Sequence, residues 1–278
     1  MMVWRVSMVE IDAMQNVREF WDTSSCGEVY ARGNSELEYY ESHAQKRFEL
    51  EPYIRDFARF DDGQGKDVLE IGVGMGGDHV EWAKSKPRSL SGIDLTPRSA
   101  EHTKKRLSLY GLTSDVRVGD AEALPYSDCS FDLVYSYGVL HHSPNTPMAI
   151  REAYRVLRPG GTARIMIYHK YSLTGYMLWC RYALLAGKIH LSLEDIYRHY
   201  LESPGTKAYS LVDTRAMLSD FSEVDLSTQL SFGDLLQGSV GQRHDGLLLR
   251  FAKAIWPRWF IQHVFKNHGL LLLISAKK

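Results

Sequence analysis

The stretch Val68-Leu69-Glu70-Ile71-Gly72-Val73-Gly74-Met75-Gly76-Gly77 decides the fold. Its first half reads as a short buried strand, and its second half is a glycine-rich turn that opens a helix. Further on, Gly92-Ile93-Asp94 ends a second apolar run in an acid. A chain holds a nucleoside-bearing ligand in this way. Glycines let the backbone come close, a helix N-terminus offers unpaired N–H groups, and the acid accepts ribose hydroxyls.

Gly72-x-Gly74-x-x-Gly77 with Asp94 also satisfies the dinucleotide pattern, so on these residues alone NAD or FAD fits as well. Features outside the stretch break the tie. Glu70 precedes the glycines. Gly119-Asp120-Ala121-Glu122 follows a third short strand at 115–118. Ser130-Phe131-Asp132-Leu133-Val134-Tyr135 gives a fourth strand, and Leu140-His141-His142 and Arg155-Val156-Leu157-Arg158-Pro159-Gly160-Gly161-Thr162 follow it. In order and spacing these elements resemble the class I S-adenosylmethionine-dependent methyltransferases, in particular the small-molecule group that includes quinone and natural-product methyltransferases. The resemblance is strong over residues 65–170 and weak in the flanks.

The alternation of strand and helix patterns argues for an α/β fold with a parallel sheet and helices on both faces. Strands are expected at 67–71, 89–93, 115–118, 131–135, 162–168, 223–229 and 269–276. Helices are expected at 77–85, 97–110, 146–157 and 211–221. The resemblance implies a seven-stranded, Rossmann-like, mostly parallel sheet whose last strand inserts antiparallel. Residues 1–62 form an N-terminal cap: 1–35 irregular, then a helical pattern at 36–60 that breaks or kinks near Pro52. Residues 63–169 form the cofactor-binding core. Residues 170–278 complete the sheet and carry two inserts, 170–209 and 231–268, placed to cover a ligand crevice.

For the site, the resemblance implies that S-adenosylmethionine is the cofactor. Gly72, Gly74 and Gly76 would form the turn under its methionine part. Glu70 would contact that turn or the amino acid moiety, or else cap local backbone. Asp94 would accept both ribose hydroxyls, with Leu95 beside it. The alternative for Asp94 is a helix cap, although Thr96-Pro97 carries the better cap signal. Asp120 would accept the adenine amino group, with the Ala121 N–H reading a ring nitrogen; its alternative is a turn-forming role. Tyr137 and Val139 would line the methyl-transfer site. His141, His142 and His169 are the candidate bases, because imidazole titrates near neutrality. The Leu-His-His segment could equally orient its loop. A nucleophilic Cys26 is disfavoured.

The chain has 278 residues, a net charge of -1 and three cysteines. The balanced charge offers no basic field for a phosphate backbone, so nucleic acid is an unfavoured partner. The wide cysteine spacing suggests neither a disulfide framework nor a zinc site, and no metal is expected. Met1–Glu19 lacks a basic flank followed by an apolar run, and 173–191 is too polar to span a bilayer, so a cytoplasmic protein is expected. The apolar segment Tyr176–Leu185 reads as a packed helix, a lid over an acceptor, a homodimer contact or a peripheral membrane contact. Trp256-Pro257-Arg258-Trp259-Phe260 is similar. The resulting expectation is methyl transfer to a small apolar or aromatic acceptor. A tRNA or other nucleic-acid methyltransferase, a non-catalytic cofactor-binding protein and a nicotinamide-dependent oxidoreductase are the alternatives.

Overall fold

The computed structural model describes residues 8–237 and 256–278. Seven strands form one sheet in the order β3-β2-β1-β4-β5-β7-β6. They are β1 (Asp67–Ile71), β2 (Ser89–Asp94), β3 (Asp115–Val118), β4 (Phe131–Tyr137), β5 (Leu157–Tyr168), β6 (Glu223–Gln229) and β7 (Leu271–Lys277). The first five pair in parallel, and β7 runs antiparallel between β5 and β6. The order reverses between β1 and β4, which is where an open α/β sheet leaves a crevice beyond its strand ends.

The two-residue period of the strands sorts side chains onto two cores. Leu69, Ile71, Val134, Ile165 and Ile167 face one side and pack with α6 (Thr146–Val156) through Ala149, Ile150 and Ala153. Val68, Leu133, Tyr135, Tyr137 and Met166 face the other and pack with Ile54, Phe60 and Trp82. Glu70 lies on that second face of β1, which puts a carboxylate among aromatic rings.

Helix α4 (Gly77–Lys84) follows β1, and α5 (Pro97–Leu109) follows β2. The Thr96 hydroxyl accepts the Ser99 N–H at 3.2 Å, so Thr96 is the N-cap of α5 and Asp94 is not. β5 begins at Leu157 rather than at 162. Its pairing with β4 jumps from Phe131↔Leu157 to Leu133↔Thr162, and residues 158–161 bulge between the two registers.

The N-terminal part differs from the expected irregular cap. α1 (Met8–Thr23) is a helix of 16 residues. Met14, Val17, Phe20 and Trp21 recur at three- and four-residue spacing and turn inward, a short period that went unread among polar neighbours. The expected 36–60 helix is two helices, α2 (Glu36–Leu50) and α3 (Ile54–Ala58), separated at Glu51-Pro52-Tyr53. Ser35 and Glu38 start α2 with a capping box.

The insert after β5 is helical. α7 (Leu173–Trp179) runs into one π turn, and α8 (Leu193–Tyr200) returns beside it. α9 (Leu211–Met217) precedes β6, and α10 (Arg258–Val264) precedes β7. Of the insert expected at 231–268, residues 238–255 lie outside the described residues. Among the described residues, no helix is long and apolar enough to cross a membrane.

Candidate functional site

A cavity of about 1190 Å³ opens at the carboxyl ends of β1, β2 and β4. Its floor is the glycine turn. Gly72, Gly74 and Gly76 have φ of +83°, +52° and +73°, backbone that a side chain disfavours. The three glycines do different work. A Cβ on Gly72 would stand 2.1 Å from Val139 Cγ2, so Gly72 allows β4's loop to close over the turn. A Cβ on Gly74 would meet no protein atom within 4 Å, so Gly74 leaves room for a ligand. Gly76 does not line the cavity; a Cβ there would press on Thr103 of α5 at 3.0–3.3 Å.

Asp94 stands over this turn. Its Oδ2 accepts the Gly74 N–H at 3.0 Å, and its Oδ1 accepts the Thr96 N–H and hydroxyl, each at 3.0 Å. Burial pushes its carboxyl up against these hydrogen bonds, which pull it down. Leu95 shares the wall. Asp120 lies beside Asp94's loop, on the turn after β3, where the Gly119 N–H donates to the Asp94 carbonyl at 2.8 Å. One of its oxygens accepts the Glu122 N–H at 2.8 Å, so Asp120 both shapes its turn and faces the cavity beside Ala121.

Glu70 reaches the cavity wall but has its own partner. Its Oε2 lies 2.8 Å from His79 Nδ1, and His79 Nε2 lies 2.8 Å from Ser114 Oγ. Ser114 donates its proton to the Leu90 carbonyl at 2.9 Å, so Nε2 must carry a proton and Nδ1 receives one from Glu70. Burial supports this arrangement. It drives the His79 imidazole down to about 3 and raises the Glu70 carboxyl well above the usual range, where Asp78 and Asp94 push it further.

The sequence reading missed a polar wall contributed by the cap. Arg47 of α2 makes a two-pronged ion pair with Asp78, at 2.7 Å on each prong, and the Tyr135 hydroxyl donates to Asp78 at 2.8 Å. Glu51 accepts from the Tyr53 hydroxyl at 3.3 Å and from the Tyr137 hydroxyl at 3.4 Å. Arg47 also stacks over the Tyr137 ring at 5.2 Å. Asp78 directly after Gly77 was the one local signal: an acid at a helix start that faces inward. Nothing local to α2 points to Arg47.

The three candidate histidines separate. His142 lines the cavity; His141 and His169 do not. His141 is fully buried, with its ring 3.9 Å from that of Tyr168, and burial depresses its basicity well below normal. His169 is spent on the backbone: its Nδ1 donates to the Gly269 carbonyl at 3.2 Å. His142 packs against Trp21 of α1 with ring centroids 5.2 Å apart. Cys26 also faces the cavity, with its thiol exposed.

Six acidic side chains, Glu70 among them neutral, and two arginines line the cavity among the described residues. That balance suits a cation. It suits a dinucleotide poorly, because the pyrophosphate would meet acids, and the Gly74 N–H it would need is already given to Asp94. Beyond this polar end the wall is apolar, with Leu173, Met177, Leu178, Phe232, Leu236 and Leu270.

Comparison with known proteins agrees with this geometry. Residues 69–165 match a family described as a methyltransferase domain. The chain is 39% identical over 121 residues to phthiotriol/phenolphthiotriol dimycocerosates methyltransferase of Mycobacterium tuberculosis, covering 43% of this chain and 44% of that protein. It is 39% identical over 101 residues to 27-O-demethylrifamycin SV methyltransferase of Amycolatopsis mediterranei, covering 35% and 36%. It is 34% identical over 122 residues to a fatty-acid O-methyltransferase of Mycolicibacterium smegmatis, covering 44% and 43%. The matched stretch spans less than half the length of these relatives. Among solved structures, the methyltransferase in a complex with the Trm112 activator of Haloferax volcanii superposes with a TM-score of 0.55 at 18% identity, covering 91% of this chain and 98% of that one. The [4+2]-cyclase SpnF superposes with a TM-score of 0.53 at 14% identity, covering 97% and 92%. These two show the fold. Residues 69–165 form a methyltransferase domain on this sheet. S-adenosylmethionine is the cofactor of this domain, and the open space at Gly74 and the acidic cavity fit a sulfonium-bearing nucleoside.

Proposed function

We propose that this chain transfers a methyl group from S-adenosylmethionine to the polar end of a largely apolar acceptor. One observation carries the reading: the glycine turn and the apolar insert wall bound the same cavity. At about 1190 Å³ it exceeds the ~300–1,000 Å³ usual for one drug-sized ligand, so cofactor and acceptor fit together. The relatives named above act on lipid-like and polyketide molecules by their names, in keeping with that apolar wall.

In this reading Gly72, Gly74, Asp94, Leu95, Asp120 and Ala121 bind the cofactor, and Glu70 and Tyr137 border it. Gly76 serves by seating α4 against α5. When bound, the cofactor supplies an electrophilic methyl on a sulfonium. The protein's task is then alignment and exclusion of water. α1 and α7 close the cavity from two sides, and Glu51 holds Tyr137 and Tyr53 in place. His142 is the candidate histidine that can meet the acceptor's polar end. The work is placed in the cytoplasm. The exposed insert tip, Leu184, Leu185 and Ile189, is where a second copy would pack in a homodimer.

The test is a screen of acceptor classes scored by release of S-adenosylhomocysteine. Turnover on long-chain or polyketide hydroxyls supports the reading, and turnover on tRNA alone would overturn it. Binding of the cofactor without methyl transfer is the second reading, since the space at Gly74 and the Asp94 carboxylate would serve it equally. Tight S-adenosylhomocysteine binding with no turnover on any acceptor class would favour that second reading.

A further inference from the structure

His141 and His142 leave nitrogens without partners inside the protein. Both ring nitrogens of His141 and Nε2 of His142 are buried and have no hydrogen-bond partner among the described residues. An unsatisfied buried polar atom costs about 1–3 kcal/mol, so three in one place ask for an explanation. The third member of the group is Glu202, which follows α8 and lines the cavity with His142. Taking one donor atom from each residue, the three atoms lie within 4.8 Å of one another.

The hydroxyls around His142 can accept a hydrogen bond from a proton carried on its Nδ1. The Thr206 hydroxyl donates to the Ser203 carbonyl at 2.7 Å, so its oxygen is left to accept from His142 Nδ1 at 3.2 Å. Ser203 Oγ stands 2.8 Å from the same nitrogen. With the proton on Nδ1, Nε2 presents a lone pair to Glu202 Oε2 at 3.5 Å. Two lone pairs facing each other repel unless a positive charge lies between them. A shared proton would draw them to roughly 2.7–2.9 Å. Two donors each 2.0–2.2 Å from a tetrahedral ion stand about 3.4 Å apart, the spacing seen here. The Tyr168 hydroxyl, which donates to Glu202 at 2.7 Å, and the hydroxyls on Nδ1 are the outer partners that hold metal ligands in place.

We infer that His141, His142 and Glu202 form a site for a divalent first-row metal ion, zinc above all, on the wall of the cavity. Two imidazoles and one carboxylate are a donor set for such ions. His142 and Glu202 face the cavity, so the open coordination position would lie where the acceptor's polar end arrives. A bound ion there would hold an acceptor oxygen and lower its pKa.

The experiment uses the full chain, stripped with a chelator and titrated calorimetrically with zinc, with cobalt as the spectroscopic probe. The expected result is one equivalent of zinc bound at micromolar concentration or tighter, with visible cobalt bands. Glu202→Gln keeps an oxygen for Tyr168 and so tests the ligand without unfolding the site. It should weaken zinc by more than the ~10–100-fold that loss of an outer partner costs, and Thr206→Val should weaken it by about that much. S-adenosylhomocysteine affinity, measured on the same samples, reports the cofactor site separately. Absence of zinc binding, or equal binding by Glu202→Gln, would overturn the metal site and leave a proton or water between His142 and Glu202. Neither result bears on the methyl-transfer reading.

Discussion

The Asp94 carboxylate accepts the Gly74 N–H at 3.0 Å, which locks the end of β2 to the glycine turn after β1. One side chain thus shapes the turn and remains on the cavity wall. Asp94→Ala should weaken S-adenosylhomocysteine binding by roughly 2–4 kcal/mol, through the loss of charge-assisted hydrogen bonds. Part of that loss will come from a loosened turn. Asp94→Asn, which keeps an acceptor for Gly74, should therefore recover some affinity in calorimetric titration. Wild-type affinity in a folded Asp94→Ala protein would remove the residue from the site.

Gly72 and Gly74 should fail in different ways. Gly72→Ala drives a Cβ into Val139 and should lower stability, with Val139→Ala relieving part of the loss. Gly74→Val enters open space. It should cost only about 1–2 kcal/mol of backbone strain while abolishing cofactor binding. Denaturant midpoints and calorimetry, taken together, separate the two. A Gly74→Val protein that binds normally would make the turn purely structural.

The Glu70–His79 pair predicts a stability maximum in mildly acidic solution. In the unfolded chain the two groups titrate near 4.5 and 6.5. Folded, the pair holds one proton from about pH 3, where His79 gains a second, up to the raised pKa of Glu70. Between 4.5 and 6.5 both states hold about one proton, so the pair's contribution is level. Below 4.5 the unfolded state binds more protons, and stability falls with pH. Above 6.5 the folded state binds more, and stability falls as pH rises. Glu70→Gln keeps a donor for His79 but has no proton to lose, so it should flatten the alkaline limb. Parallel urea curves for both proteins at pH 5.5 and 8.5 would contradict the neutral pair.

The histidines should divide by location. His142→Ala should lower turnover by about 10²–10⁴-fold with cofactor affinity little changed. His169→Ala should leave turnover nearly intact and reduce stability by about 1–3 kcal/mol, because the Gly269 carbonyl loses its buried donor. A reversal of these effects would show that the acceptor enters from another side.

Met177 faces the apolar end of the cavity from α7. Met177→Trp should raise KM for a long acceptor by several-fold while leaving S-adenosylhomocysteine affinity unchanged, since the added ring fills space remote from the glycine turn. Equal KM values for short and long acceptors would show that the apolar wall is not used.

The parts of this fold that depend on neighbours in the chain were legible in the residues. β1, the positive-φ turn, the acid closing β2 and the Thr96-Pro97 cap each rest on a few consecutive side chains and on the local backbone freedom of glycine and proline. The α/β alternation follows from the same short-range periodicity. α1 stayed hidden because its few inward positions sit among polar ones, whereas Pro52 marked the break between α2 and α3.

Tertiary structure alone decided which histidine meets the cavity. His141 and His142 are adjacent and chemically alike, yet the turn after β4 buries one under Tyr168 and aims the other toward Glu202. It also set Arg47 against Asp78 and brought the α7 insert over the glycine turn, joining two half-sites into one cavity. These relationships span long stretches of chain. Local sequence specifies what each segment prefers to be, whereas the packing of both faces of one sheet fixes which distant side chains become neighbours, and with them the charge and proton positions of the site.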